Sequence, residues 1–321
     1  MITAALAGIA FLINNYYSPL SPVVIAIIAG LLISNFIGTP AACKQGIDYC
    51  AKKLLKLGIV FLGIRLSFYE ILDLGANSLA IIITCIILAL TVVISLSKKF
   101  GVPPRLATLI AVGTAICGNS AIVATSPVIK AKEEEVAFAV GTITVFGLSA
   151  IVFYPVIGAY MHLSPVEFGT WAGTAINDTG QVVAAGFQYG ITAGEAATVV
   201  KLTRNLFIAP VVVLFAYLTA KEEAGQSSFH FKGLNLFRIF PWFVLGFLVM
   251  AFLRTADLLP DLVIGLLSFT SAFLLVMALG GIGLSINLAS MKGLGLKAFL
   301  AGLLAAVVMG TTSLLLILLI L

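Results

Sequence analysis

Apolar runs follow one another from end to end of this chain, near residues 2–16, 20–38, 51–66, 77–97, 106–128, 135–160, 167–190, 195–219, 238–254, 262–288 and 295–321. A helix of about 20 such residues crosses about 30 Å of hydrocarbon. Inside hydrocarbon every backbone N–H and C=O needs a partner within the protein, which restricts runs this long to helices. Composition agrees: 61% of the residues are hydrophobic, 10% are charged and the mean hydropathy is +1.18. No water-soluble domain of this length has that balance. The longest polar stretch runs only from Lys221 to Lys232, too short for an appended soluble domain. The expected fold is an all-α polytopic membrane protein of about 9–11 transmembrane segments, forming one domain over residues 1–321.

Turn and charge signals punctuate the runs: Asn14-Asn15 and Pro19, Gly38-Thr39-Pro40, Lys98-Lys99 with Pro103-Pro104, Ser164-Pro165 and Pro260. The net charge of +5 comes from loop lysines and arginines, and it implies no nucleic-acid partner. Lys44, Lys52 and Lys53, then Lys98, Lys99 and Arg105, then Lys221, Lys232 and Arg238, and finally Lys292 and Lys297 mark cytoplasmic loops. Loops carrying Glu70 and Asp73, or Asp257 and Asp261, alternate with them, and the C-terminus falls outside. Cys43, Cys50, Cys85 and Cys117 have no CxxC spacing, and with only His162 and His230 no metal set or cofactor is expected. Residues 1–13 lack the basic start and cleavage site of a signal peptide and read as a short first helix.

Two copies of one motif interrupt the apolar runs. Gly113-Thr114-Ala115-Ile116 is followed by Cys117-Gly118-Asn119-Ser120, and Gly173-Thr174-Ala175-Ile176 by Asn177-Asp178-Thr179-Gly180. A polar break at membrane depth survives only where it is buried in protein or lines a wet cavity. Paired breaks are the device from which secondary transporters build a substrate site. A second match, Gly63-Ile64-Arg65-Leu66-Ser67 with Gly281-Ile282-Gly283-Leu284-Ser285, points to inverted repeats of about 20–160 and 165–321. The two pairs sit at unequal offsets, so the halves are not a collinear duplication. Each break can be a re-entrant hairpin or an interrupted crossing helix; hairpins satisfy both inversion and the charge rule.

The residues around the breaks carry the candidate chemistry. A mid-membrane carboxylate at Asp178 costs about 2.5–3.5 kcal/mol on insertion scales, so it is expected to face a cavity or a partner. Lys201 and Arg204 share one helical face, with Asn205 beside them, and a buried pair with Asp178 is the functional reading; snorkelling to headgroups is the alternative. Thr114, Asn119 and Ser120 in one copy, and Thr174, Asn177, Thr179 and Gln181 in the other, offer hydroxyl and amide groups to a substrate; close helix packing competes for the threonines. Arg65 can reach the site or snorkel. Ser67 and Ser285 read as helix-end caps, and Glu133, Glu134 and Glu135 as a solvated helix start. Gly280-Gly281-x-Gly283 is a packing signal, since no strand precedes it.

The run from Gly113 through Asn119-Ser120-Ala121-Ile122, then Glu133–Val140, Asn177-Asp178-Thr179-Gly180-Gln181-Val182 and Val200-Lys201-Leu202-Thr203-Arg204-Asn205, resembles the YeiH-type membrane proteins over essentially the whole chain. That family is also named for sulfate export. More distantly, the glycine-rich breaks are similar to bile-acid/sodium symporters and cation–proton antiporters, which pair a panel with a core of interrupted helices. The resemblance implies a multi-pass protein of the bacterial plasma (inner) membrane, and a homodimer is a common arrangement for such folds.

Together these readings lead to a secondary transporter of a small anion such as sulfate, sulfite or an organic sulfonate, working by alternating access. Lys201 and Arg204 would supply positive charge and Asp178 the coupling to H⁺ or Na⁺. No ATP-binding motif is present. A cation–proton antiporter built on Asp178 with Lys201 or Arg204 is the alternative. A lipid-modifying enzyme would need clustered catalytic residues that neither histidine provides, so no enzyme is expected. On this reading Arg204→Ala should abolish transport while leaving the protein folded.

Overall fold

The computed structural model describes residues 1–16, 22–224, 242–285 and 296–320. Expectations for Pro19, Lys232, Arg238, His230 and Lys292 lie outside them. The described residues are helical throughout, with no strand: α1 (Ile2–Tyr16), α2 (Pro22–Leu32), α3 (Ala41–Tyr49), α4 (Leu55–Leu62), α5 (Phe68–Leu88), α6 (Ile94–Lys99), α7 (Pro104–Ala115), α8 (Asn119–Thr125), α9 (Glu133–Tyr160), α10 (Pro165–Ala175), α11 (Thr179–Tyr189), α12 (Ile191–Asn205), α13 (Ile208–Ala224), α14 (Trp242–Thr255), α15 (Asp261–Ser285) and α16 (Leu296–Ile320). Wider π-helical turns at Cys50–Leu54 and Ala89–Val93 join α3 to α4 and α5 to α6, so each pair is one rod. The third segment therefore starts at Ala41, earlier than the apolar run suggests. Lys44, Gln45 and Asp48 give its first turns a polar face, and hydropathy alone reads those turns as loop.

Both motif segments are hairpins, which settles the alternative left open by the sequence. Phe168 at the start of α10 stacks on Tyr189 at the end of α11 with ring centroids 3.9 Å apart, and the Tyr189 hydroxyl donates to the Leu163 carbonyl at 2.6 Å. The two arms, 11 residues each, are about 16 Å long, half a bilayer. In the first copy a Cβ built on Gly113 would come 2.9 Å from Ile122 Cδ1, which a straight continuation of α7 into α8 could not give. The tip of that turn is Gly118, at φ +64°, where a side chain is disfavoured; its N–H closes α7 on the Gly113 carbonyl at 2.9 Å.

α9 separates the two hairpins. It starts three residues after Lys130 and ends just before Ser164, and its 28 residues span about 42 Å. The hairpin mouths thus lie at opposite faces. By the lysine loops, α7–α8 enters from the cytoplasm and α10–α11 from outside. Local caps fix these ends. Glu135 accepts from the Lys132 N–H at 2.8 Å, and Ser164 and Glu167 bond each other reciprocally at the start of α10.

The apolar side chains form two main cores. One gathers α5, both hairpins, α9, α12, α13 and α16; the other gathers α1, α2, α4, α14 and α15. Val183 and Ala184 on α11, and Val199 and Leu202 on α12, belong to the second core, so these two helices face it. Within that body small residues bring backbones together: a Cβ on Gly30 would meet the Gly280 carbonyl oxygen at 2.6 Å, Gly283 abuts the Ile27 carbonyl, and Gly63 abuts the Phe247 carbonyl. The Gly280–Gly283 stretch is thus a packing surface.

Candidate functional site

The two hairpin tips touch. A Cβ on Gly118 would lie 3.4 Å from both the Asn177 carbonyl carbon and the Asp178 nitrogen, in van der Waals contact with the second tip. α7 and α10 both end here, each leaving carbonyls that no further turn of helix can pair. α12 packs along α10 and α11 and brings its own polar face to the spot: Gly169 and Gly186, one from each arm, both close on Ala193 and Ala197 of α12. Lys201 lies ten residues past Ile191, about 15 Å along the helix and near the middle of the bilayer.

Lys201 and Arg204 are both 0% exposed, so neither snorkels. Their donors go to backbone carbonyls at the two tips. Lys201 Nζ donates to Ile116 O at 2.7 Å, to Ile176 O at 2.9 Å and to Asn177 O. Arg204 Nε donates to Ala115 O at 2.8 Å, its Nη1 to Ile176 O at 3.1 Å and Gly173 O at 3.4 Å, and its Nη2 to Thr114 O. Two cations thus cover the negative ends of two half-helices at once. The expected ion pair with Asp178 is not formed: among the described residues the one ion pair that meets salt-bridge distance is Arg65–Glu195, Nε to Oε1 3.4 Å. The carbonyls compete better, because they surround the cations on both sides.

Asp178 is half-buried and caps α11, its Oδ1 accepting from the Gly180 N–H at 2.9 Å. Gln181 is its capping partner, with Oε1 3.3 Å from the Asp178 nitrogen and Nε2 donating to Thr144 O at 3.4 Å, so this amide is occupied by the fold. Thr174 is also occupied: its hydroxyl donates back to Thr170 O at 2.6 Å and meets Ser313 of α16. Ser120 is exposed on α8. The remaining candidates lie on the tips and on α12 beside them. Asn205 Nδ2 donates to Thr179 Oγ1 at 3.3 Å. Its own oxygen, with Asn119 Oδ1, Asn177 Oδ1 and Thr114 Oγ1, is buried without a partner. Buried polar atoms are rarely left unpaired, and these four, on segments that meet at the tips, are open to a ligand.

Arg65 does not approach the tips. It ends the α4 rod and binds Glu195 in the second turn of α12. Reasoning from the sequence also missed the acceptors of Lys201 and Arg204, because it looked for side chains and the partners are main-chain oxygens. Their only signal is the position of the breaks. Ser285 donates back to Gly281 O at 2.9 Å as a helix-end residue, and Ser67 precedes the first residue of α5.

Fold and site together define a multi-pass helical membrane protein with two opposed re-entrant hairpins meeting in its interior. A family model described as "Conserved hypothetical protein 698" matches residues 1–302. The chain is 36% identical over 323 residues to a UPF0324 membrane protein of Clostridium tetani, covering 96% of this chain and 94% of that protein. It is 37% identical over 292 residues to a UPF0324 membrane protein of Corynebacterium glutamicum (91% and 83%) and 35% identical over 299 residues to one of Streptococcus pneumoniae (90% and 87%). No solved structure matches. The chain belongs to the UPF0324 family, the YeiH-type membrane proteins.

Proposed function

We propose that this protein is a secondary transporter of a small anion, such as sulfate, sulfite or an organic sulfonate, working by alternating access and coupled to H⁺ or Na⁺ through Asp178. One observation carries the reading: two hairpin tips from opposite faces abut at Gly118 and Asn177–Asp178, beside two fully buried cations. Discontinuous helices meeting at mid-membrane are where such transporters hold their cargo.

The charge balance favours an anion. The C-ends of α7 and α10 and the N-ends of α8 and α11 meet at the tips, so their half-charges about cancel, and Lys201 and Arg204 against one carboxylate leave about one positive charge. A proton on Asp178 makes the tips more positive still, an excess that a bound anion offsets. Asn119, Asn177 and Asn205 supply the hydrogen bonds, since an amide can turn to present N–H in place of oxygen, and Thr114 adds a hydroxyl. Transport draws on a gradient and needs no cofactor or catalytic step.

Flux into proteoliposomes holding the purified protein tests this. Saturable uptake of radiolabelled sulfate or sulfite is expected, with a pH dependence that Asp178→Asn flattens. The unpartnered amide oxygens beside Asp178 favour a second reading, a cation–proton antiporter, since oxygen atoms also suit Na⁺. Cation-dependent proton movement in the absence of any anion would select it over the first.

A further inference from the structure

One side-chain atom ties both breaks together: Lys201 Nζ, bonded to Ile116 O from the first tip and to Ile176 O and Asn177 O from the second. An ammonium has three donors and no acceptor, and here each donor has one carbonyl. Three carbonyl oxygens from two helix ends, converging on one buried positive centre, make a shell that replaces water around a cation. Carbonyl rings in ion filters and the C-ends of broken helices in transporters hold free monovalent cations in this way. Ammonium and the larger alkali cations are alike in size and in needing only oxygen ligands. In this chain the cation is covalently attached.

We propose that the cradle formed by the Ile116, Ile176 and Asn177 carbonyls is a monovalent-cation site that Lys201 occupies permanently with its own ammonium, so that the protein dispenses with a metal ion at its tips. The charged and titratable groups that bear on it are Arg204 on the same helix, Cys117 in the first tip and Asp178 in the second. Arg204 already raises the positive charge beside the cradle, which disfavours a further free cation while Lys201 is in place. The consequence rests on the transporter reading: sodium finds no place in this cradle while Lys201 fills it, so of the two coupling ions that reading allows the inference favours the proton on Asp178. The site itself does not rest on it, because it can be emptied and refilled without any substrate.

The test uses the full chain in detergent, as wild type and as Lys201→Ala, with Lys201→Met as a second variant that keeps the bulk of the stem. Thermal melting is followed in choline chloride, then with sodium, potassium or methylammonium chloride at equal ionic strength. Wild type should be indifferent to the cation. Both variants should melt lower, and methylammonium or potassium should raise their midpoints by roughly 2–4 °C, as a ligand that binds only the folded form does. Should either variant fold too poorly to purify in choline, recovery of monodisperse protein with methylammonium present is the readout. Sodium stabilisation of the wild type would overturn the proposal, and so would variants that no cation restores in either measurement. Failure to find a transported anion would touch only the transporter reading, whereas flux in the wild type that stops without sodium would overturn the inference while leaving that reading standing.

Discussion

Asn177 and Arg204 sit a few residues from each other's partners yet have opposite relations to the fold. The Asn177 side-chain oxygen is buried with no partner, so the fold gains nothing from it. Asn177→Ala should leave the melting midpoint unchanged or raise it slightly, because it removes an unsatisfied polar atom. It should also abolish stabilisation by sulfate or sulfite; an equal loss of midpoint and anion response would make Asn177 structural. Arg204 bonds four carbonyls of two hairpins. Arg204→Ala takes the donor from those oxygens, of which only Ile176 O keeps a bond to Lys201, at a cost of about 3 kcal/mol. A sharp fall in yield and midpoint is expected, which revises the expectation of a folded but inactive variant. The sequence shows that Lys201 and Arg204 share a face and leaves burial or snorkelling open, which the structure decides by burying both. Nor does the sequence show what they bind. Backbone acceptors carry no residue identity, and the carbonyls used come from residues as apolar as Ile116 and Ile176.

The hairpins show the same division among elements. Paired breaks are visible as Gly-Thr-Ala-Ile followed by polar residues, but whether the chain turns back at them depends on one backbone angle. Gly118 sets that angle at φ +64° and ψ −124°, a region that side chains scarcely enter. Gly118→Ala should destabilise the protein by about 1–3 kcal/mol through backbone strain alone, since its Cβ would meet the second tip only at contact distance. A melting curve identical to wild type would mean the first hairpin does not need this turn. At the outer mouth, Ser164 caps α10 and its removal in Ser164→Ala should cost about 1 kcal/mol. Hydrogen bonds from the Ser164 side chain, and then from its backbone N–H, hold the Glu167 carboxylate below its ordinary range. A depressed carboxylate stabilises the fold above its unfolded pKa and loses that contribution as pH falls through the folded one. The difference in midpoint between wild type and Glu167→Gln should therefore be present at neutral pH and vanish in acid.

At the scale of the whole molecule, two apolar bodies meet along α11 and α12, and alternating access requires one to move against the other. Arg65 and Glu195 bond across that boundary near the outer face, from the end of the α4 rod to α12. The motif that carries Arg65 was legible as a repeat of Gly281–Ser285, yet its partner was not, since no spacing rule links residue 65 to residue 195. In the second copy the corresponding residue is Gly283, which packs on Ile27, so the repeat-related ends differ in kind: one is a close backbone seam, the other a partly exposed ion pair. An exposed pair of this sort contributes about 0–1 kcal/mol and is weakened by salt, so it can break repeatedly at little cost. If the bodies part at the outer face during each cycle, tying them there should stop flux without harming the fold. Cysteines at both positions, bridged by a short reductant-cleavable reagent, should arrest uptake until the bridge is cut, while the melting midpoint stays at or above that of the unbridged protein. Undiminished uptake with the bridge intact would rule out movement between α4 and α12 and confine the motion to the hairpin tips.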